Sequence, residues 1–130
     1  MERLVAGRER IYLDHFWNEF SADPKKFSEG ARVHFARLYA RTGGMRAGFA
    51  QFATFDQDAI DNREFLKSAK LAMPVLAIGG EKSFGLTMAE VIRAGALDVK
   101  AFVIKAAGHW LMEENPADTV KGIRAFLDTK

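Results

Sequence analysis

No cysteine occurs in the sequence, which excludes a disulfide framework and any metal site built from thiolates. A large excess of one charge is also lacking, because 19 Lys and Arg residues stand against 17 Asp and Glu residues. The basic residues are scattered among carboxylates, a pattern typical of an ordinary solvated surface. Composition therefore gives no indication of a nucleic-acid partner.

Long hydrophobic segments are lacking as well. No stretch approaches the roughly 18 apolar residues that a membrane span needs. The first ten residues are rich in charge and have no apolar segment of the kind found in a signal peptide. We therefore expect a soluble, cytoplasmic protein with no membrane partner, and its 48% hydrophobic content is sufficient for a core.

Motifs for cofactors and metals are not found either. Nothing like G-x-G-x-x-G opens a helix, so Gly79-Gly80 is not a dinucleotide fingerprint. The three histidines have no spacing suited to zinc. The acidic segment 56–61 lacks the glycine and the terminal glutamate of a calcium loop. We expect no cofactor and no metal.

What the sequence does contain divides near Pro74. Before it, apolar and aromatic residues at helical spacing predict four helices. These cover Ile11 to Phe20, Phe27 to Tyr39, Met45 to Phe55, and a short stretch around Phe65. Asp23-Pro24 predicts the start of the second helix, Thr42-Gly43-Gly44 its end, and Asp61 a cap for the fourth.

After Pro74 the pattern alternates between strand and helix. Val75 to Ile78 is a continuous apolar run ended by Gly79-Gly80, and Val99 to Ile104 is a second strand. A helix around residues 86–92 separates the two strands, and Asn115-Pro116 starts a terminal helix. The unit predicts parallel pairing with a right-handed crossover. Two parallel strands cannot cover their own edges and faces, so the pattern indicates a fragment, a swapped oligomer or a partner chain.

The strongest candidate for chemistry is the stretch Ala106-Ala107-Gly108-His109-Trp110. It follows the carboxyl end of a predicted parallel strand, where open α/β sheets place their ligands. The glycine allows a tight turn, and imidazole is the side chain best suited to proton transfer at neutral pH. The alternative is a loop histidine with a structural hydrogen bond.

Segment 73–85, followed by Gly108-His109-Trp110 and Glu114-Asn115-Pro116, resembles the last two strands of α/β-hydrolases. The resemblance is to the branch of epoxide hydrolases and haloalkane dehalogenases, and the helices before Pro74 resemble the latter part of the helical cap. It implies an α/β fold class in the form of a partial α/β-hydrolase. Residues 1–68 would be a cap-like segment, and residues 69–130 the carboxy-terminal β-α-β-α part of the core with two parallel strands.

The resemblance also implies a reaction, which is hydrolysis of an ester, an epoxide or a carbon–halogen bond through a covalent ester intermediate. His109 would be the catalytic general base, and no cofactor or metal would be needed. A small apolar substrate would be held by five further residues: His15, Trp17, Phe52, Phe84 and Trp110. The alternative for the aromatic residues of the first helix is that they form the core of the cap. Phe52 stands where epoxide hydrolases commonly have a tyrosine, which weakens epoxide opening as the reaction.

Several parts of the family pattern are not in the sequence. No G-x-S/D-x-G nucleophile elbow occurs, and neither does the histidine-glycine segment of the oxyanion hole. The position of the triad acid falls at Ser83, while Glu81 lies two residues early and could simply solvate a loop, so the acid stays unassigned. Glu113 and Glu114 are expected to serve the first turn of the last helix.

The isolated chain is therefore expected to be inactive, since His109 would have no nucleophile to serve. The alternative function is a non-catalytic hydrolase remnant that acts as an oligomerising or interaction module. Its strand edge and aromatic helices would bind a second copy of the chain or the missing amino-terminal part of the same protein.

Overall fold

The computed structural model describes residues 2–129, and the part before the first strand is helical. Five α-helices are present there: α1 (Glu2–Val5), α2 (Glu9–Glu19), α3 (Glu29–Tyr39), α4 (Gly44–Ala53) and α5 (Phe55–Ser68). A 3₁₀ turn, Pro24–Lys26, lies between α2 and α3. The predicted helical character of this segment is confirmed, but two helix boundaries differ.

The first difference is the start of α3. Asp23 does act as a cap, since its carboxylate accepts from the Lys25 N–H at 3.1 Å, but it caps only the 3₁₀ turn. The chain then extends at Phe27, and α3 starts after Ser28, whose hydroxyl accepts from the Ala31 N–H at 3.2 Å. The prediction of a helix from Asp23-Pro24 was wrong because burying Phe27 against Trp17 requires an extended residue there.

The second difference concerns α4 and α5. The chain bends at Thr54, whose hydroxyl donates to the Gln51 carbonyl at 2.8 Å, so Phe55 belongs to α5 and not to the preceding helix. Helix α5 is a single helix of 14 residues. The predicted cap at Asp61 was wrong, because Asp61 lies inside this helix and accepts from the Gln57 side chain at 2.8 Å.

The remainder of the chain is a β-α-β-α unit, as predicted. It consists of β1 (Val75–Gly80), α6 (Thr87–Ile92), β2 (Val99–Ile104), the short α7 (Leu111–Glu114) and α8 (Pro116–Leu127). The strands are parallel, with Val75 opposite Val99 and Gly80 opposite Ile104. Asn115 caps α8 by accepting from the Asp118 N–H at 3.2 Å, which confirms that start signal.

Gly79 and Gly80 continue β1 instead of ending it, which corrects the predicted strand end. Their small size is needed at the carboxyl end of the strand. A Cβ on Gly80 would collide with the Gly108 carbonyl, and one on Gly79 with the Gly85 backbone. The turn after β2 and the loop after β1 therefore pack directly on the strand end.

The core of the second half lies between the strand pair and its helices. Ile104 and Ala107 are fully buried, and α6 packs against both strands. Within residues 2–129, β1 has a strand neighbour on one edge only, because the sheet order is β1-β2. Every residue of α5 is exposed. No helix within these residues is long and apolar enough to cross a membrane.

Candidate functional site

The turn that carries His109, residues 106–110, is called the histidine turn below. It follows β2 and is held by a hydrogen bond to Glu81, the residue after β1. Ala106 has a left-handed backbone with φ of 50°, an unusual conformation for a residue with a Cβ. The Glu81 carboxylate accepts from the Ala106 N–H at 3.0 Å. This backbone hydrogen bond lowers the pKa of Glu81 below its usual range. Glu81 is thus a brace of the histidine turn, and not only a solvated loop residue as considered from the sequence.

His109 is held through its backbone. Its N–H donates to the Phe20 carbonyl at 2.8 Å, which joins the turn to the end of α2. The imidazole is exposed, with its ring centre 6.0 Å from that of Phe20 and 4.8 Å from that of Trp110. The predicted location after the carboxyl end of a parallel strand is confirmed.

The strongest polar anchor of the turn is Glu114, which is only 4% exposed. One carboxylate oxygen accepts from the N–H groups of Gly108 at 2.9 Å and Trp110 at 3.2 Å. The other accepts from the N–H groups of Ala22 at 2.7 Å and Asp23 at 3.3 Å. The prediction that Glu114 serves the first turn of the last helix was wrong: it is the last residue of α7, and its carboxylate connects two loops.

An apolar cavity of about 260 Å³ lies beside this turn. It is lined mainly by aromatic side chains of α2, α3 and α4, together with Trp110 from the histidine turn. Three of the predicted substrate-binding residues are brought together in its wall: Trp17, Phe52 and Trp110. Trp17 is buried and stacks on Phe27 with ring centres 4.9 Å apart, whereas Phe52 is 65% exposed.

The other two predicted binding residues lie elsewhere. His15 is exposed on α2 and does not line the cavity. It is two positions from Trp17, and residues at that spacing face different sides of a helix. Phe84 is exposed in the loop after β1 and does not line the cavity either. Sequence reasoning missed several residues that do line it, among them Tyr12, Phe35, Met45 and Phe49.

A buried cation fixes the wall of the cavity. The Arg32 guanidinium donates to the carbonyls of Phe27 and Pro24, both at 3.0 Å, and to the Asn18 side chain at 2.9 Å. It also pairs with Asp14. The same group lies over the rings of Trp17 and Phe27, at 5.7 and 5.4 Å from the ring centres. Sequence alone gave no sign of this network, because α3 arginines are expected on the surface.

A second arginine reinforces the contact between α2 and α3. Arg10 donates to both carboxylate oxygens of Glu29 at 2.7 Å and to Asp14 at 2.7 Å. The Glu29 hydrogen bond is the main cause that raises the pKa of Arg10, and the same bond lowers the pKa of Glu29. Within residues 2–129 no group of three or more His, Asp or Glu side chains could hold a metal ion.

No protein-family model and no curated protein sequence matches the chain. Solved structures do match it. Cfl2 from Burkholderia cenocepacia is 35% identical over 96% of this chain and 42% of its own, with a TM-score of 0.88. The epoxide hydrolase CorEH is 24% identical over 96% of this chain and 44% of its own, with a TM-score of 0.87.

A third match is ALR0039 from Nostoc sp. PCC 7120, which its name assigns provisionally to the α/β hydrolases. It is 24% identical over 99% of this chain and 45% of its own, with a TM-score of 0.82. The chain thus spans less than half the length of each of these structures, a coverage that fits the carboxy-terminal part of their fold. The strand pair, its helices and the helical segment before them have the fold of the carboxy-terminal part of these structures, which is a partial α/β-hydrolase fold.

Proposed function

We propose that the chain supplies the cap and the histidine turn of a hydrolase active site that cleaves an ester, an epoxide or a carbon–halogen bond. The observation that carries this proposal is an exposed imidazole on a braced turn at the end of β2, beside an aromatic cavity. Trp110 connects the two, because it follows His109 and lines the cavity.

In this reaction a nucleophile on another part of the fold first attacks the substrate and forms a covalent ester, while the bond to the leaving group breaks. The leaving group is the alcohol oxygen of an ester, the ring oxygen of an epoxide or a halide ion. His109 then accepts a proton from water while the water oxygen attacks the ester carbonyl. Collapse of the tetrahedral intermediate then breaks the ester bond. The oxygen that leaves, either that of the product alcohol or that of the nucleophile, takes the proton from His109, so that product, nucleophile and base are all restored. The cavity supports a small apolar substrate, since its wall is mostly aromatic and its volume of about 260 Å³ admits only a small molecule.

The nucleophile is not in the 130 residues, because none of the serines or aspartates has the flanking glycines of an elbow. We therefore expect the purified chain to give no His109-dependent turnover of an activated aryl ester, an aryl epoxide or a haloacid. His109→Ala and the unmodified chain should hydrolyse all three at the same background rate. Turnover by the chain that is lost in His109→Ala would contradict the need for an external nucleophile.

The upstream DNA provides the sharper test. We expect it to encode an in-frame G-x-S/D-x-G motif, and expression of the extended reading frame should give turnover that His109→Ala abolishes. His34→Ala is the matched control, because His34 is exposed on α3 and lies outside the cavity wall. An extended frame with no such motif would overturn the hydrolase proposal.

A second candidate function is an oligomerising module that pairs with another copy of the chain. Two observations favour it: β1 has an edge with no strand neighbour within residues 2–129, and α5 exposes four large apolar side chains. These are Phe55, Ile60, Phe65 and Leu66. Unpaired strand edges and exposed apolar helix faces are the usual sites at which one protein chain associates with another.

Light scattering coupled to size-exclusion chromatography would test this second function. We expect a dimer that dissociates in the double variant Ile60→Lys, Phe65→Lys and persists in Asn62→Lys, an exposed polar position on the same helix. A monomer at all concentrations, with no shift on α5 substitution, would exclude the module.

A further inference from the structure

The buried carboxylate of Glu114 connects two segments that are distant in sequence. Its partners are four backbone N–H groups, two in the histidine turn and two in segment 22–23, which follows α2. Each oxygen takes one pair, so the side chain spans the junction between the helical segment and the strand unit. A buried carboxylate is tolerated only where its oxygens are satisfied in this way.

The two segments are also in direct contact. A Cβ on Gly108 would collide with the Phe20 carbonyl and the Ala22 nitrogen. The backbone of the histidine turn therefore packs directly on the backbone of segment 20–23. The N–H of His109 donates to the Phe20 carbonyl across the same junction. The backbone of His109 therefore has no freedom to move unless segment 20–23 moves with it.

A local role for Glu114 in α7 accounts for only part of this geometry. The carboxylate accepts from the N–H of Trp110, the N-cap residue of α7, and this contact caps the start of the helix. The hydrogen bonds from Ala22 and Asp23 lie outside that role, because these residues belong neither to α7 nor to the turn before it. Loss of the carboxylate would leave amide donors on both sides of the junction without an acceptor.

We propose that Glu114 is a positioning residue that fixes the histidine turn to segment 20–23, so that the direction of the His109 imidazole follows the position of the cap helices. The significance of that direction rests on the proposed function, in which His109 activates water. The coupling itself is a property of the chain and is measurable without a substrate. Cap movement on substrate binding would reach His109 through this carboxylate.

The experiment is amide hydrogen exchange and imidazole NMR on the full chain, with Glu114→Gln compared with the unmodified protein. Glutamine keeps the size but has a single acceptor oxygen, so it satisfies one pair of N–H groups and presents donors to the other. We expect exchange to rise at least tenfold at one pair of these amides in Glu114→Gln. In Glu114→Ala, which has no acceptor, it should rise at all four, which are Ala22, Asp23, Gly108 and Trp110. The exchange rates of the backbone amides that pair β1 with β2 should not change.

The imidazole signals give the positional readout. In Glu114→Gln the signals of His109 should shift and its ring contact with Phe20 should weaken, while the exposed His15 and His34 serve as internal references. Glu90→Gln, at an exposed position on α6, is the matched control and should change none of these signals.

Two results would overturn the proposal. In Glu114→Ala, faster exchange at Gly108 and Trp110 with no change at Ala22 and Asp23 would show that Glu114 acts only within the turn. Uniform loss of protection in both Glu114→Gln and Glu114→Asp would assign it to overall stability. Since no hydrolysis is measured, either result leaves the proposed reaction standing, and an inactive extended protein leaves the coupling standing.

Discussion

Helices α2 and α3 bury their polar and aromatic groups against each other, whereas the strand unit and the preceding α5 leave a strand edge and apolar side chains exposed. Between α2 and α3, Arg32 is buried and hydrogen-bonded, and Trp17 and Phe27 are less than 5% exposed. In the strand unit, β1 has one edge without a strand neighbour within residues 2–129, and the α5 helix that precedes it is exposed throughout. The first region satisfies its buried polar groups with its own residues, whereas the second leaves one edge of β1 unpaired within residues 2–129 and apolar side chains of α5 exposed.

The histidine turn lies where these two regions meet. It leaves β2, but its hydrogen bonds go to Glu114 and Glu81 and to the Phe20 carbonyl at the end of α2. The position of His109 therefore depends on both regions, and perturbing either one should move it.

The largest effect is expected from breaking the α2–α3 network with Arg32→Met. The substitution removes the guanidinium that pairs with Asp14 and donates to two carbonyls, so it leaves buried acceptors without partners. We expect a loss of about 3–5 kcal/mol in the free energy of unfolding, measured by urea denaturation. Arg46→Met is the control, because its ion pair with Glu2 is exposed to solvent and stabilises the fold little. Equal effects for both variants would show that the network does not stabilise the packing of α2 against α3.

A smaller loss is expected in the strand unit from Gly80→Ala. The added Cβ would collide with the Gly108 carbonyl, so the histidine turn must shift away from β1. We expect a loss of about 1–3 kcal/mol in urea denaturation, together with displaced His109 NMR signals. Gly30→Ala in α3 is the control, since its Cβ would meet nothing closer than 4.0 Å, and it should be neutral or stabilising. Unchanged His109 signals in Gly80→Ala would contradict the packing of the turn on the strand end.

The residues involved show why the sequence predicted the strand unit better than the histidine site. Apolar runs such as Val75 to Ile78 and the Asn115-Pro116 cap are local signals, and the strands and α8 follow them. The boundary of α3 depended on burial of Phe27 against Trp17, a tertiary contact that overrode the local signal at Asp23-Pro24. Glu114 and Ala22 are 92 residues apart, and no local pattern marks such a pair.

The residues that line the cavity are also brought together by tertiary contacts, which no local pattern in the sequence marks. Trp17 and Phe52 were predicted to share a wall with Trp110, and the structure places all three there. His15 and Phe84 were also assigned to it, but the position of each depends on the orientation of a helix or loop that the sequence does not set.

A pH-dependent effect is expected at the brace between β1 and the histidine turn. The Ala106 N–H lowers the pKa of Glu81 below the ordinary value of 4.5, so the folded state favours the ionised form. The resulting stability is fully present above pH 4.5 and is lost as the pH falls through the lower pKa of the folded state. We expect the difference in unfolding midpoint between the protein and Glu81→Gln to shrink over that range. A constant difference down to pH 2 would contradict this role of Glu81.

The smallest change in the free energy of unfolding is expected from Trp110→Phe. Its comparison with Trp17→Phe tests how tightly the histidine turn is packed relative to α2 and α3. The indole Nε1 of Trp110 is buried without a hydrogen-bond partner within residues 2–129, so its loss removes an unsatisfied donor as well as apolar surface. These contributions oppose each other, and the free energy of unfolding should change by less than about 1 kcal/mol. Trp17→Phe has no such compensation, because it loses the contacts with Phe27 and the Arg32 guanidinium, and should cost about 1–3 kcal/mol. A larger loss for Trp110→Phe than for Trp17→Phe would mean that the indole N–H is satisfied in solution, and that the histidine turn is packed as tightly as the cap.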